Sequence, residues 1–186
     1  PDLFRGVVEQ AGVMDEIRWL DQHGRLINHI SIKDQRFPAV ALHRADLQHT
    51  LLTALPQSSI HLGNELVEHE QRGEKMIATF ANGESIESDF LIGADGIHSR
   101  VRLQFLNDND PIFRGYTVWR GISPTIPSAI PTSAAIELHG RGRRFGIGPV
   151  GDGRIGWWAS ANAATPEHLD GDEARAKLLH LFKDWY

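Results

Sequence analysis

Residues 91–102 read LIGADGIHSRVR, and this stretch decides the fold. Its apolar start predicts a strand covered on both faces of a parallel sheet, which ends in a Gly-Ala-Asp-Gly loop and continues as a short helix. Ligands of α/β sheets bind beyond the carboxyl ends of strands, where glycines such as Gly96 let the backbone approach a phosphate or ribose. Asp95 can accept hydrogen bonds from ribose hydroxyls, while Ser99 and Arg102 can hold the loop. A second interpretation makes the loop a simple turn and Ser99 a helix cap.

Upstream of this stretch the pattern mixes helices and strands. Residues 9–20 predict a helix from apolar spacing, and residues 26–32 predict an alternating strand. An extended piece at 37–42 precedes a helix at 45–55, which Pro56 should end. A β series then follows, in which Asn82-Gly83 marks a tight turn. Its predicted strands are residues 59–62, 66–71, 75–81, 85–88 and 90–92.

Downstream of the polar stretch 108–111, the predicted secondary structure becomes mainly antiparallel strands. Four strands separated by turn residues are predicted at 115–122, 133–139, 143–149 and 154–160, with a final helix at 171–185. Gly146, Gly148 and Gly151 form a literal Gly-x-Gly-x-x-Gly, but it leads into a strand and not into a helix. We therefore interpret it as a glycine-rich hairpin and not as a nucleotide loop. The boundary between mixed α/β structure and antiparallel β structure is predicted near residue 110.

Composition excludes several classes of function. The 186 residues carry a formal net charge of −5, which argues against a nucleic-acid partner. Cysteine is absent, so disulfides and thiolate zinc sites are excluded, and a reducing cytoplasm fits. Ten histidines are scattered without a His-Glu-x-x-His, so no metal site is predicted. No apolar run is long enough to predict a membrane span.

Both ends of the chain suggest a piece of a longer protein. Residue 1 is Pro1 and not Met, and the last residues stop inside an amphipathic helical pattern. We therefore expect the natural polypeptide to continue beyond both ends.

Residues 91–102 resemble the Asp-Gly fingerprint of the FAD-dependent aromatic-ring monooxygenases, the family of para-hydroxybenzoate hydroxylase and salicylate hydroxylase. That pattern joins an apolar strand to Gly-Ala-Asp-Gly, a nearby Ser and an Arg. The resemblance implies that Asp95 and Gly96 lie beside FAD, that Ser99 and Arg102 belong to the same cofactor-binding motif, and that the loop also serves the pyridine nucleotide.

Two weaker matches extend the resemblance. Residues 43–47, HRADL, resemble the family segment in which an Arg at a helix start contacts FAD, and this implies that role for Arg44. A cation there is unfavourable for the helix dipole, and an anionic ligand nearby would explain it. The family's next strand contacts adenine through its main chain, which implies that role for Val67.

The region after residue 110 is similar to the family's substrate-binding sheet. The resemblance implies an α/β (α+β) fold, with residues 1–110 as a partial Rossmann-like FAD-binding domain and residues 111–186 as a partial substrate-binding domain. Arg120 and Arg144 are the candidate cations for an anionic aromatic substrate. Each could equally be an exposed strand residue, and for Arg120 we favour that interpretation. Urate-oxidising relatives carry a Tyr near the position of Gly156, so urate is not predicted.

The activity that the resemblance implies is NAD(P)H-driven hydroxylation of a phenolic acid-like ring, with FAD as cofactor and dioxygen reacting through a flavin hydroperoxide. No side-chain nucleophile is needed for such chemistry. Epoxidase, halogenase and reductase chemistry in the same superfamily stay open, as does a truncated domain without catalysis. The family's first phosphate loop and its later Gly-Asp segment are missing here. We therefore expect the chain alone to be inactive, and a homodimer is one assembly that an exposed sheet edge would favour.

Overall fold

The computed structural model describes residues 2–107, 110–169 and 171–186. The helices are α1 (Leu3–Gln10), α2 (Arg44–Thr53), α3 (Arg100–Leu106) and α4 (Gly171–Leu181), with a 3-10 turn at Gln57–Ser59. The strands are β1 (Gly12–Met14), β2 (Glu16–Asp21), β3 (Leu26–Ser31), β4 (Ala39–Ala41), β5 (Leu66–Arg72), β6 (Lys75–Phe80), β7 (Ser85–Ser88), β8 (Tyr116–Ser123), β9 (Ala134–Gly140), β10 (Arg143–Pro149) and β11 (Ile155–Asn162). They form two compact units, one made of the residues up to Leu55 with Arg114–Tyr186, the other of Pro56–Phe113.

The first unit is built on a six-stranded sheet in the order β3-β2-β9-β10-β11-β8. Only the β2–β9 pair is parallel, and the other neighbours are antiparallel. The β10–β11 hairpin turns at Gly151 and Gly153, which both have positive φ, a conformation that glycine adopts without a steric penalty. The buried core of the sheet consists of Ala134, Leu138, Ile155, Ala159 and Ala161.

An aromatic cluster joins one face of this sheet to the end of the chain. The Phe145 ring stacks on Trp157 at 6.2 Å and meets Phe182 edge-on at 5.4 Å. Phe182 in turn contacts Trp185 at 4.8 Å. Because side chains alternate along a strand, the neighbours of Phe145 on β10 point to the opposite face. That opposite face is the one that lines the cavity described below.

Close backbone packing places β1 and β4 at one end of the same sheet. A Cβ added at Gly12 would overlap the main chain of Pro149, and one added at Gly151 would overlap the carbonyl of Gln10. β1 pairs with β4 in an antiparallel ribbon, and α2 follows β4 within three residues. These glycines therefore let β1 and α1 approach the end of the β10–β11 hairpin.

The second unit is a three-stranded antiparallel sheet, in the order β5-β6-β7, with α3 against it. Gln104 of α3 accepts a hydrogen bond from the main-chain N–H of His69 on β5 at 3.1 Å. Ala78 of β6 is the buried residue at the centre of the sheet. The Asn82-Gly83 turn between β6 and β7 forms as predicted, with Gly83 at positive φ.

Most predicted elements are confirmed, including the helix at 45–55, the hairpin at 66–81 and the four late strands, as is the α/β fold class. The glycine-rich hairpin at Gly146 is also confirmed. Three predictions are wrong. Residues 9–20 form the end of α1 and strands β1 and β2, residues 59–62 contain no strand, and residues 90–92 form no strand.

The strand predicted at residues 90–92 does not form, because no neighbouring strand pairs with these residues in the described part of the chain. Phe90 and Ile92 are 75% and 81% exposed, and no strand among the described residues pairs with them. A short apolar run becomes a strand only when a neighbouring strand accepts and donates its main-chain hydrogen bonds, so local composition did not suffice to predict this strand.

The final helix also ends earlier than predicted, at Leu181.

The predicted division of roles between residues 1–110 and 111–186 stays a prediction. The two compact units divide the chain at other points, because β2 and β3 belong to the sheet of the first unit. Residues 108 and 109 of the predicted polar boundary lie outside the described residues. Among the helices that the structure describes, none combines the length and apolar character that crossing a bilayer requires.

Candidate functional site

A cavity of about 950 Å³ lies in the first unit, against the face of the six-stranded sheet opposite Phe145. Three of the predicted site arginines line it, namely Arg44, Arg120 and Arg144. Met14 of β1 and the segment from β4 into α2 supply one wall, and strands β2 and β8–β11 supply the floor. The cavity is therefore assembled from the first 45 residues and the last 70 or so residues of the chain.

The sheet register explains why distant residues meet on this floor. Directly paired residues across five strands are Trp19, Glu137, Gly146, Trp158 and Arg120. Because directly opposite residues of neighbouring strands share a face, these side chains form one row across the cavity. The row alternates aromatic and charged groups, with glycine at its centre.

The three arginines differ in their surroundings. Arg44 is the first residue of α2, and Arg120 lies on the edge strand β8. Within the described part of the chain, neither guanidinium forms a hydrogen bond or an ion pair. Arg144 lies with Nη1 3.7 Å from Oε1 of Glu137, a partly exposed ion pair. Two cations on this cavity are thus available to an anionic ligand.

Glu137 is the one carboxylate among the charged groups of the cavity. Its side chain is 14% exposed, and Oε2 accepts a hydrogen bond from the Trp158 indole N–H at 2.6 Å. Nε2 of His139 approaches Oε1 to 2.8 Å. A carboxylate has about four acceptor positions, so Glu137 keeps capacity for a further donor.

The loop that contains Asp95 belongs to the second unit, and the Asp95 carboxylate orders it through hydrogen bonds. Oδ1 accepts from the Ser99 hydroxyl at 2.5 Å, and Oδ2 accepts from the Arg100 main-chain N–H at 2.7 Å. The Ser99 hydroxyl lowers the pKa of Asp95 below its usual value, and burial opposes that effect in part. Oγ of Ser99 also caps α3 by accepting from the Arg102 N–H at 3.0 Å. The cap and turn interpretation of these residues is therefore confirmed as their structural role.

Glycines shape this loop at two points. Gly96 has φ +85°, a conformation that strains any other residue, and open space lies where its Cβ would be. A Cβ at Gly93 would come within 2.6 Å of the Val101 side chain, so Gly93 lets the loop pack on α3. Arg102 donates from Nη2 to the carbonyl of Ile97 at 2.8 Å, which closes the loop.

Val67 lies on the edge strand β5, where the β5–β6 register shifts between Leu66 and Glu68. Its side chain is partly exposed. An edge position with a register shift leaves main-chain groups outside the regular ladder, which suits the main-chain role predicted for Val67.

The structure thus gathers seven of the eight predicted site residues into two groups, and Val67 on β5 belongs to neither. One group is Arg44, Arg120 and Arg144 on a single cavity, and the other is Asp95, Gly96, Ser99 and Arg102 in one loop. Sequence reasoning missed Glu137 and Trp158. A signal existed, since Glu137 is a lone carboxylate inside the apolar strand AAIELHG.

No family model matches the chain. Aurachin C monooxygenase/isomerase of Stigmatella aurantiaca is 33% identical over 150 residues, 80% of this chain and 38% of that protein. 3-amino-4-hydroxybenzoate 2-monooxygenase of Streptomyces cremeus is 35% identical over 136 residues, 72% of this chain and 34% of that protein. Chloroplastic zeaxanthin epoxidase of Nicotiana plumbaginifolia is 32% identical over 144 residues, 77% of this chain and 22% of that protein.

A solved structure agrees with these relatives. HpxO of Klebsiella pneumoniae, complexed with FAD and uric acid, matches with a TM-score of 0.87 and 25% identity. The match covers 98% of this chain and 48% of that chain. The chain spans less than half the length of each protein that it matches here.

Proposed function

The chain is related in sequence and fold to FAD-dependent monooxygenases, and on that premise we propose that the whole protein is an FAD-dependent, NAD(P)H-driven monooxygenase of an acidic aromatic ring. The observation that carries the substrate class is the cavity lined by Arg44, Arg120 and Arg144. Three guanidinium groups face one carboxylate there, so the cavity favours anionic ligands: a phosphate of the cofactor at Arg44, and the acidic group of the substrate at Arg120 and Arg144.

The described residues fit FAD as a cofactor. Arg44 presents at a helix start a guanidinium that pairs with none of the residues the structure describes, which suits a phosphate-bearing ligand. The open space at Gly96 allows a ligand to approach the loop backbone. We assign Arg44, Val67, Asp95, Gly96, Ser99 and Arg102 to cofactor binding, with Ser99 acting by ordering Asp95 and α3. Bound FAD supplies the redox chemistry with NADH or NADPH and dioxygen as co-substrates.

The protein residues orient the substrate and control its charge. Arg144 and Arg120 bind a carboxylate or phenolate of the ring, and Arg144 lies beside Glu137 in a partly exposed ion pair. The apolar part of the floor, which includes Ile17 and Ile122, displaces water from the ring. We expect this protein in the cytoplasm, and the absence of cysteine from the 186 residues fits a reducing compartment.

A second candidate is epoxidation of an alkene, because zeaxanthin epoxidase is among the relatives. A carotenoid-like substrate carries no charge, so Arg120, for which the described residues supply no ion-pair partner, would gain none from the ligand. The charge of the cavity therefore favours the aromatic acid over the polyene.

The test uses the full-length protein and measures both its flavin content and the transfer of oxygen to the substrate. We expect a visible flavin spectrum after desalting, and NADH or NADPH oxidation that 3-amino-4-hydroxybenzoate or salicylate stimulates. Mass spectrometry with isotopically labelled dioxygen should then show one labelled oxygen atom in the product. Labelled epoxide from zeaxanthin and no labelled aromatic product would favour the second candidate. No flavin and no labelled product would contradict both.

A further inference from the structure

We propose that the Trp158 ring is a stacking platform that selects ligands with a planar ring, and that Gly146 and Glu137 hold it in place. This inference deepens the proposed function and rests on it for the identity of the cavity as a substrate site. It assigns the selection of ring shape to Trp158, while the arginines select charge.

The geometry of Trp158 is fixed from two sides. Trp158 on β11 is directly paired with Gly146 on β10, and Gly146 is directly paired with Glu137 on β9. The indole N–H nevertheless reaches Oε2 of Glu137 at 2.6 Å, so the ring extends across the middle strand. A Cβ at Gly146 would overlap the ring atoms, which shows that the ring lies directly over this glycine.

A ring in this position is available to a ligand. Trp158 lines the cavity and is half-buried, whereas Ala159 and Ser160, which follow it, are buried. Its N–H is already satisfied by Glu137, so a ligand meets an apolar aromatic surface without an unpaired donor. Glu137 resists rotation of the ring, because turning it would break a hydrogen bond to a charged acceptor.

Charge lies on two sides of the platform. Arg120 is the direct partner of Trp158 on β8, and Arg144 is two residues before Gly146 on β10. Since residues two apart on a strand share a face, both arginines project on the same side as the ring. The arrangement suits a planar carboxylate whose ring stacks on Trp158 while its acidic group meets a guanidinium.

The experiment compares two probes that share a carboxylate and a six-membered ring, namely benzoate and cyclohexanecarboxylate. Their dissociation constants are measured by calorimetry with the full-length flavin-loaded protein. We expect the wild type to bind benzoate about two- to tenfold more tightly, the range of aromatic stacking energies. Gly146→Ala should displace the ring and bring the ratio close to one.

Gly6→Ala is the control. It adds the same methyl group in α1, outside the lining of the cavity, where its Cβ would meet the Thr50 methyl group at 3.4 Å. This variant should keep the wild-type ratio. Trp158→Leu, which introduces no overlap, replaces Gly146→Ala if circular dichroism shows that the latter is unfolded.

The outcomes separate this inference from the proposed function. Equal affinity of the wild type for the two probes overturns the platform, and so does an unchanged preference in folded Trp158→Leu. A benzoate preference that disappears in the variants supports the platform, even if the oxygen-transfer assay shows no labelled aromatic product. Oxygen transfer to an aromatic acid without a benzoate preference supports the function and overturns the platform alone.

Discussion

Arg154 donates from Nη2 to Oδ2 of Asp46 at 2.5 Å, and this ion pair ties the first turn of α2 to the β10–β11 hairpin. Arg154 also donates from Nε to the Gly151 carbonyl at 3.3 Å. Because Arg44 begins the same helix, the pair fixes the position from which Arg44 enters the cavity. The hairpin thus positions a residue that lies about a hundred positions earlier in the chain.

Asp46→Asn should loosen the start of α2. Both side chains of the pair are about one quarter exposed, so we expect a loss of about 1 kcal/mol after allowing for solvent screening. That corresponds to a fall in Tm of about 2–4 °C. Thermal unfolding checks it, with Glu9→Gln as control, because the Arg5–Glu9 pair is largely exposed. An equal effect of both substitutions would contradict a special role for Asp46.

Arg44→Ala should impair both flavin retention and flavin reduction by the nicotinamide cofactor. No residue that the structure describes pairs with this guanidinium, so we expect its removal to act through the ligand and not through a lost ion pair. Arg44→Lys should rescue only in part, because a point charge does not reproduce a bidentate fork. Flavin content after desalting and stopped-flow reduction measure the two effects. Arg141→Ala, in an exposed turn, is the control, and normal values in Arg44→Ala would show that Arg44 is structural.

Asp95→Ala should weaken FAD binding several-fold in the full-length protein. The carboxylate organises Ser99 and the first N–H groups of α3, so its loss disorders the loop as well as removing an acceptor. A flavin dissociation constant equal to that of the wild type would rule out Asp95 as a cofactor residue. Ser99→Ala should show part of the same loss, because it removes both the Asp95 contact and the α3 cap.

The same carboxylate makes stability depend on pH at the acid end. The folded pKa of Asp95 is lowered, chiefly by the Ser99 hydroxyl, so the ionised form stabilises the folded state. This contribution is complete above about pH 4, the ordinary aspartate range, and is lost as pH falls through the folded pKa. The stability difference between wild type and Asp95→Asn should therefore shrink below pH 4 in urea unfolding. A difference that stays constant with pH would contradict this assignment.

The residues of the local sequence were sufficient to predict the hairpins and α2. Gly83, Gly151 and Gly153 adopt positive φ in their turns, and such turns need only neighbouring residues. The helix beginning at Arg44 could be predicted because leucines at helical spacing precede Pro56. The Asp95 loop was likewise predictable, since its hydrogen bonds connect residues within six positions of one another.

Pairing between strands decided the secondary structure of the segments that were predicted wrongly. Residues 16–21 carry apolar spacing that suits a helix, yet they become β2 because β3 and the distant β9 both offer hydrogen-bonding partners. Residues 90–92 have strand composition and no partner, and so they remain irregular.

The sequence by itself determined which residues have the chemistry for a site, including Arg44, Asp95, Arg120 and Arg144. Only the tertiary structure decided that Arg44, Arg120 and Arg144 share one cavity and that Glu137 and Trp158 line it with them. The physical reason is register. A shift by one residue moves every side chain of a strand to the opposite face of the sheet, and that choice depends on contacts between strands far apart in the chain.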